Sequence, residues 1–409
     1  MFAQTALPSH PRRFMAAPQR NRRLGRPLQL LTKTMRPDPQ LVELIGQRLM
    51  QRDEIGAALV SAMRIADADD PARVSMGQFK TALENGTDAV PDCPRALREF
   101  FAEVERVPHW VDMQLINEGA AAYRRLGSNA ADVMLQLSLI GGYRFGGPAD
   151  LLVETGGLTG RTTVRRLAET QKWAVSVSQP DAMRRQGEGF KLTVHVRLMH
   201  ALVNHQFETN GRWQVDEWGL PINQTDQAST VGLFNGALLL GVRLLGVRVS
   251  KSESRAIMHL WKYVGWLMGV DEDWLCDNEA QQHRLNYHFL ITQSTVSAAG
   301  PPLARAIVDA QRFLHYPNMS RVRGAYQRAR LLSMLSYFLR GEGMRDLELP
   351  RSIPWAVLPV LARNIVRYQV LSRTRSGRAY LMRWGERSSE KLLTTYFGAQ
   401  NHDVGQLAI

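Results

Sequence analysis

Three side chains between residues 161 and 207 have the types and spacing that chemistry needs: Arg166, Thr170 and His200. At the helical rotation of about 100° per residue, Arg166, Thr170, Trp173 and Val177 fall on one face. That face is apolar apart from one cation and one hydroxyl. A second segment puts Leu192, Val196, Met199, Val203 and Phe207 in an apolar stripe, with His200 on its edge, about 60° from the centre. An arginine, a threonine and a histidine aimed at a core need partners, and a cofactor is one way to supply them.

The histidines narrow the chemistry. His195, His200 and His205 are five apart, so each is turned by about 140° from the last and they cannot share a face. No HxxxH metal pair results. His205 lies opposite the stripe and reads as solvated, while His195 and His200 flank it. One inward histidine in a dry pocket suffices as an axial haem ligand; the plainer alternative is a core histidine bonded to a backbone carbonyl. Arg166 is open in the same way. It either forms an internal salt bridge with Asp150, Glu154 or Glu169, or stabilises a bound oxygen species or a haem propionate. There is no GxSxG elbow, no GxGxxG after a strand, no HExxH and no phosphate loop. The glycines of 141–148 allow backbone or a flat ligand to approach closely, and 157–160 reads as a turn before the Arg166 helix.

The elements that must position these groups are helices. Apolar residues recur at helical spacing from Pro37 onward, including 76–84, ended by Asn85-Gly86, and 113–126, started by Asp112. Segments 130–140 and 227–245 each read as one helix, and 218–226 as a polar, turn-rich loop. The longest apolar run, 231–242, is too short to span a bilayer and reads as a buried core helix. No alternating strand runs and no repeats occur. The expected fold is all-α: a disordered leader at 1–36, a single helical domain at 37–395, and a tail at 396–409.

Of 409 residues, 44% are hydrophobic, enough for a sizeable core. The formal net charge is +13, unevenly spread. Arg12, Arg13, Arg20, Arg22, Arg23, Arg26, Lys33 and Arg36 give the leader +8 without an acid, leaving +5 for the body. The body therefore argues against a nucleic-acid partner, and the leader invites weak contact with an anionic membrane surface. Cys93 and Cys276 are far apart and without CxxC or CxxCH, which removes cysteine zinc sites, iron–sulfur clusters and covalent haem attachment. Two buried free thiols are expected. Prolines and arginines interrupt any apolar signal segment after Arg12-Arg13.

The run Arg166-Leu167-Ala168-Glu169-Thr170, followed by Arg197-Leu198-Met199-His200-Ala201, resembles the core signature of the latex clearing proteins. These are rubber oxygenases within a wider group of oxygenase-like domains. Val107-Pro108-His109-Trp110-Val111-Asp112, Trp218-Gly219-Leu220-Pro221-Ile222-Asn223-Gln224 and Trp261-Lys262-Tyr263-Val264-Gly265 resemble further blocks of that family. The likeness covers roughly residues 75–290. It implies a globin-like helical core with additional helices and non-covalent haem b. His200 would be the iron ligand rather than His195, with Arg166 and Thr170 across the haem and Asp150, or after it Glu154, as base. The implied reaction is cleavage of the double bonds of poly(cis-1,4-isoprene) by dioxygen to aldehyde and ketone ends, through a channel lined by residues such as Trp173, Leu137 and Phe234.

Two departures stand out. Glu169 occupies a position where some rubber oxygenases have an iron-ligating lysine. No export signal is legible, although rubber is extracellular; secretion is expected for a rubber substrate, and a cytoplasmic location for a smaller lipid or prenyl substrate. A non-catalytic haem-binding protein and a basic, helical nucleic-acid binder are the competing classes.

Overall fold

The computed structural model describes residues 9–156 and 161–398, and within them the chain is helical with no strand. Helices begin where capping side chains stand. After α1 (Pro18–Thr32), helix α2 (Pro39–Gln47) starts at Asp38, whose carboxylate accepts from the Gln40 and Leu41 amides. Then come α3 (Glu54–Met63), α4 (Met76–Asn85) and α5 (Arg95–Glu105). Ser75 and Gln78 close a capping box on α4, and Gly86 at φ 89° ends it, as the Asn85-Gly86 signal predicts. Asp112 caps α6 (Met113–Leu126), also as predicted.

Next are α7 (Ser128–Val133), α8 (Pro148–Glu154), α9 (Arg161–Val177) and α10 (Glu188–Thr209). The expected 218–226 loop holds less free chain than its composition suggests. It lies between α11 (Val215–Trp218) and α12 (Gln224–Gly232), whose cap is Asn223. The remainder is α13 (Leu238–Leu244), α14 (Lys251–Leu267), α15 (Glu279–Ile291), α16 (Gly300–Ala310), α17 (Ser320–Asp346), α18 (Val357–Ile365) and α19 (Arg375–Phe397).

Two expected continuous helices are interrupted. Met134–Ile140 and Leu233–Ala237 are widened π-helical turns rather than α-helix. Such turns loosen the i to i−4 ladder and leave backbone groups to be satisfied from outside. Here the Leu233 carbonyl accepts from Ser138 Oγ at 3.1 Å, joining one widened turn to the other. Hydrophobic periodicity does not register a one-residue change of pitch, so the sequence could not show it.

The centre is a close stack of helices. α6 lies between α14 and α19, at distances that only glycine permits: a Cβ on Gly119 would strike the Ala256 carbonyl, and one on Gly385 the Arg124 carbonyl. One core joins α3 to α6, α10 and α14 around Phe79, Phe100, Phe101 and Trp261. A second gathers α16 and α17 against Leu167 and Ala168 of α9.

The leader corrects its expected disorder. From residue 9 onward it is a strap. α1 packs on α15, and the arginines that made the segment look unstructured are its fastenings. Arg13 is buried, donating to Asp226 through both terminal nitrogens, at 3.2 and 2.5 Å, and to the Gly146 carbonyl at 3.1 Å. Arg20 meets Asp346 at 2.8 Å, Arg23 meets Glu342 at 2.6 Å, and Arg12 lies 3.4 Å from Asp216. A run of like charge reads as solvated only while its counter-charges, more than 200 residues away, are invisible. Both thiols are free and half-buried. The expected turn at 157–160 lies outside the described residues, as do residues 1–8 and the end of the tail.

Candidate functional site

α9 and α10 are joined by a short connection and pack as an antiparallel pair. Two contacts fix their register. The Trp173 indole Nε1 donates to Thr193 Oγ1 at 3.0 Å, and Gly189 sits directly against the Val177 backbone. In an antiparallel pair the two residue numbers sum to a constant along the register, and both contacts give the same sum. Carried seven residues further, about 10 Å at the rise of a helix, the same register would bring Arg166 of α9 level with His200 of α10.

His200 is half-buried. Its Nδ1 is enclosed and has no hydrogen-bond partner among the described residues. Burial pushes its pKa below the ordinary histidine value, against opposing pulls from Gln227 and Asp53. The imidazole is thus held neutral, the form in which it ligates a metal. His195 is also lowered by burial, with Lys80 as a second cause, and faces α4. His205, expected to be solvated, is partly covered beside Arg52 and Arg64.

Arg166 is half-buried and donates from Nη1 to Thr155 Oγ1 at 3.2 Å. Burial lowers its pKa, while Glu169 and Tyr143 act in the opposite direction. A guanidinium remains charged under such a shift. The salt bridge to Asp150 or Glu154 considered from sequence is not formed, because both carboxylates are engaged elsewhere. Asp150 Oδ2 accepts from the Gly147 amide at 2.8 Å, closing the first turn of α8, and Oδ1 accepts from Ser297 at 2.9 Å. In this structure it serves as a cap and an anchor. Glu154 pairs with Arg212 at 2.7 Å. Glu169 meets Arg165 one turn back at 3.0 Å, and its charge also acts on Arg166.

Thr170 departs from expectation as well. It is exposed, and its hydroxyl donates to the Arg166 carbonyl on its own helix at 3.0 Å. The wheel placed it correctly four residues from Arg166. A threonine can satisfy itself on the preceding turn, however, so it does not have to enter the core. Trp173 and Phe234 stand edge to face at 5.4 Å, and Phe234 lies 4.7 Å from Trp261. Leu137 packs against both cores. The residues expected to line a channel therefore form an aromatic and aliphatic wall at the hairpin.

Two supports escaped the sequence reading. Arg197, one turn before His200, grips Asp53 through Nε at 2.7 Å and Nη2 at 2.8 Å. Gly269, at φ 84°, lies against this pair so closely that a side chain there would meet Asp53 and Arg197 Nε. The second is Thr193, whose hydroxyl holds the Trp173 indole. An Asp at a helix start and a core Thr carry no sequence signal beyond capping and helical spacing. Among the described residues no group of three or more His, Cys, Asp or Glu side chains converges as a metal cage.

The family model for the ER-bound oxygenase mpaB/B'/rubber oxygenase catalytic domain matches residues 126–368, which includes α9, α10 and both widened turns. The chain belongs to this oxygenase family. A rubber oxygenase from Streptomyces sp. (strain K30) is 24% identical over 194 residues, covering 44% of this chain and 45% of the relative. That alignment spans less than half of either protein. The structure of latex clearing protein in the closed state superposes with a TM-score of 0.60 at 16% identity, over 83% of this chain and 88% of that one. At that identity the likeness is one of fold, and it agrees with the all-helical architecture expected from sequence.

Proposed function

We propose that this oxygenase is haem b-dependent and cleaves the double bonds of a cis-isoprenoid alkene, poly(cis-1,4-isoprene) being the polymer its resemblance implies. The observation that carries this reading is the hairpin register. It sets a half-buried guanidinium level with an imidazole that is neutral and has an enclosed, unpartnered nitrogen. A buried polar atom without a partner costs stability unless something binds it, and a haem iron is a partner of the right chemistry. The donor set fits: one neutral histidine, a cation for a propionate or for developing negative charge, and an aromatic wall for a flat apolar group.

His200 would hold the haem, which when bound supplies the activation of dioxygen. Arg166, held by Thr155, would contribute positive charge to a propionate or to negative charge developing on oxygen. It can do so without moving, which is the condition for such a charge to lower a barrier. A carboxylate, Asp150 or Glu169, would accept an allylic proton. Trp173, held by Thr193, keeps one wall of the hairpin dry and apolar. Thr170 acts through the α9 backbone.

The test is an absorption spectrum and pyridine haemochrome of the freshly purified protein, followed by oxygen uptake with polyisoprene latex and with a short prenyl lipid. A Soret band with uptake on the polymer is the expected result. A colourless protein after expression in haem-replete cells would overturn the cofactor. A haem protein that consumes no oxygen with either alkene would overturn the activity.

A further inference from the structure

Half of the eight basic side chains of residues 1–36 are taken up within the fold. In the strap, Arg12, Arg13, Arg20 and Arg23 face carboxylates. At the other end, from Arg351 to Gly385, there are seven arginines and no acid. Of these, Arg367 stacks on Trp384 at 4.0 Å, and none of the others forms an ion pair among the described residues. Among the described residues, Arg351, Arg363 and Arg378 bond only backbone carbonyls.

The same segment exposes an aliphatic face. Helix α18 buries Val357, Val360 and Asn364, and Tyr368 continues that inner row. Its outer row is Leu358, 70% exposed, then Ile365 and Val366, with Val370 after them and Ile353, 80% exposed, before. Trp355 stands at the edge, its ring 5.8 Å from that of Tyr326. Large apolar side chains at helical spacing on the solvent side, bordered by unpaired arginines, are an arrangement that water does not favour.

We infer that α18 and the turn after it dock peripherally on an anionic lipid surface, with Leu358, Ile365, Val366 and Val370 entering the acyl boundary. Arg351, Arg363, Arg373, Arg375 and Arg378 would meet the headgroup phosphates. Charge complementarity selects this occupant. In a symmetric dimer across the same face, arginine would oppose arginine, and interface cores are depleted in charge. Single-stranded nucleic acid needs flat rings for stacking, and the exposed row is aliphatic. A tryptophan at the rim and arginines around an apolar helix face suit a membrane interface. No described helix is long and apolar enough to cross a bilayer, so the contact lies on the surface. The inference does not depend on haem or turnover.

The test is sedimentation of the full chain with vesicles of phosphatidylcholine alone and of phosphatidylcholine mixed with phosphatidylserine. Binding to the mixed vesicles and weak binding to neutral ones is expected. Leu358→Asp should reduce partitioning by about tenfold, as expected for one aliphatic side chain withheld from the acyl region. Arg373→Glu, Arg375→Glu and Arg378→Glu together should reduce it further, on the order of a hundredfold. Leu358 is exposed, and the Leu358→Asp protein should keep its melting temperature. Arg22→Glu with Arg26→Glu in the strap should leave binding near wild type. Equal binding to both vesicles, unchanged binding of Leu358→Asp, or loss only with the strap variant would overturn the inference. So would a chain that ignores vesicles but forms a dimer that Leu358→Asp dissociates, or one that binds single-stranded DNA instead.

Discussion

Arg197 holds both carboxylate oxygens of Asp53, one turn before His200, and thereby ties α10 to the start of α3. Both partners are nearly covered, at 4% and 11% exposure. Breaking such a pair leaves a buried charge alone, which costs about 3–5 kcal/mol. Asp53→Ala should therefore unfold at lower denaturant by that amount, measured by urea titration. With haem bound as proposed, it should also broaden the Soret band, because α10 near His200 loses this support. A variant as stable as wild type would show that the pair contributes nothing net.

The histidine assignment has a direct comparison. His200→Ala should purify without a Soret band, whereas His195→Ala should retain it. Retention in His200→Ala and loss in His195→Ala would reverse the assignment.

Asp150 separates a cap from a base. Asn keeps one accepting oxygen for the Gly147 amide, can donate to Ser297 Oγ from its nitrogen, and takes up no proton. Asp150→Asn should keep most of the oxygen uptake and nearly all the stability, while Asp150→Ala loses about 1–2 kcal/mol. If Asp150→Asn folds normally and is inactive, the residue is a base after all.

Stability should fall in mild acid. Burial lowers the pKa values of His195, His200, His205, His259, His283 and His288. Above the unfolded value of about 6.5 these groups are neutral in both states and their contribution is complete. As the pH drops below it, the unfolded chain takes up protons that the folded chain refuses, so stability declines until the folded values are reached. Denaturant unfolding at about pH 7.5 and 5.5 should show the loss. A protein equally stable at both would mean that these rings are not desolvated in solution.

The strap makes the last prediction. Arg13 and Asp226 are 3% and 8% exposed, so Arg13→Ala should cost about 3–5 kcal/mol. A disordered leader would tolerate the change. Thermal denaturation distinguishes the two.

Much of this was legible in the sequence, and the parts that were not share a cause. Asp112, Asn85-Gly86 and the spacing of Arg166, Trp173 and Val177 act within a few residues, and the helices they announce are present. The local partners of Thr170 and Asp150 were not legible, because short polar side chains can bond on their own turn or at their own helix start. Arg13, Arg197 and the widened turns depend on Asp226, Asp53 and Ser138, residues that only the folded chain brings near. Local pattern gives the elements; it does not give the distant counter-charge.

That distance has a consequence for how the molecule is made. The strap precedes the body along the chain, yet Arg13 must wait for Asp226, Arg20 for Asp346 and Arg23 for Glu342, separations of 213, 326 and 319 residues. An emerging chain would carry these arginines bare for most of translation, and contacts of such high order form late. By that reasoning the strap, made before the body it fastens to, is among the last segments to reach its place.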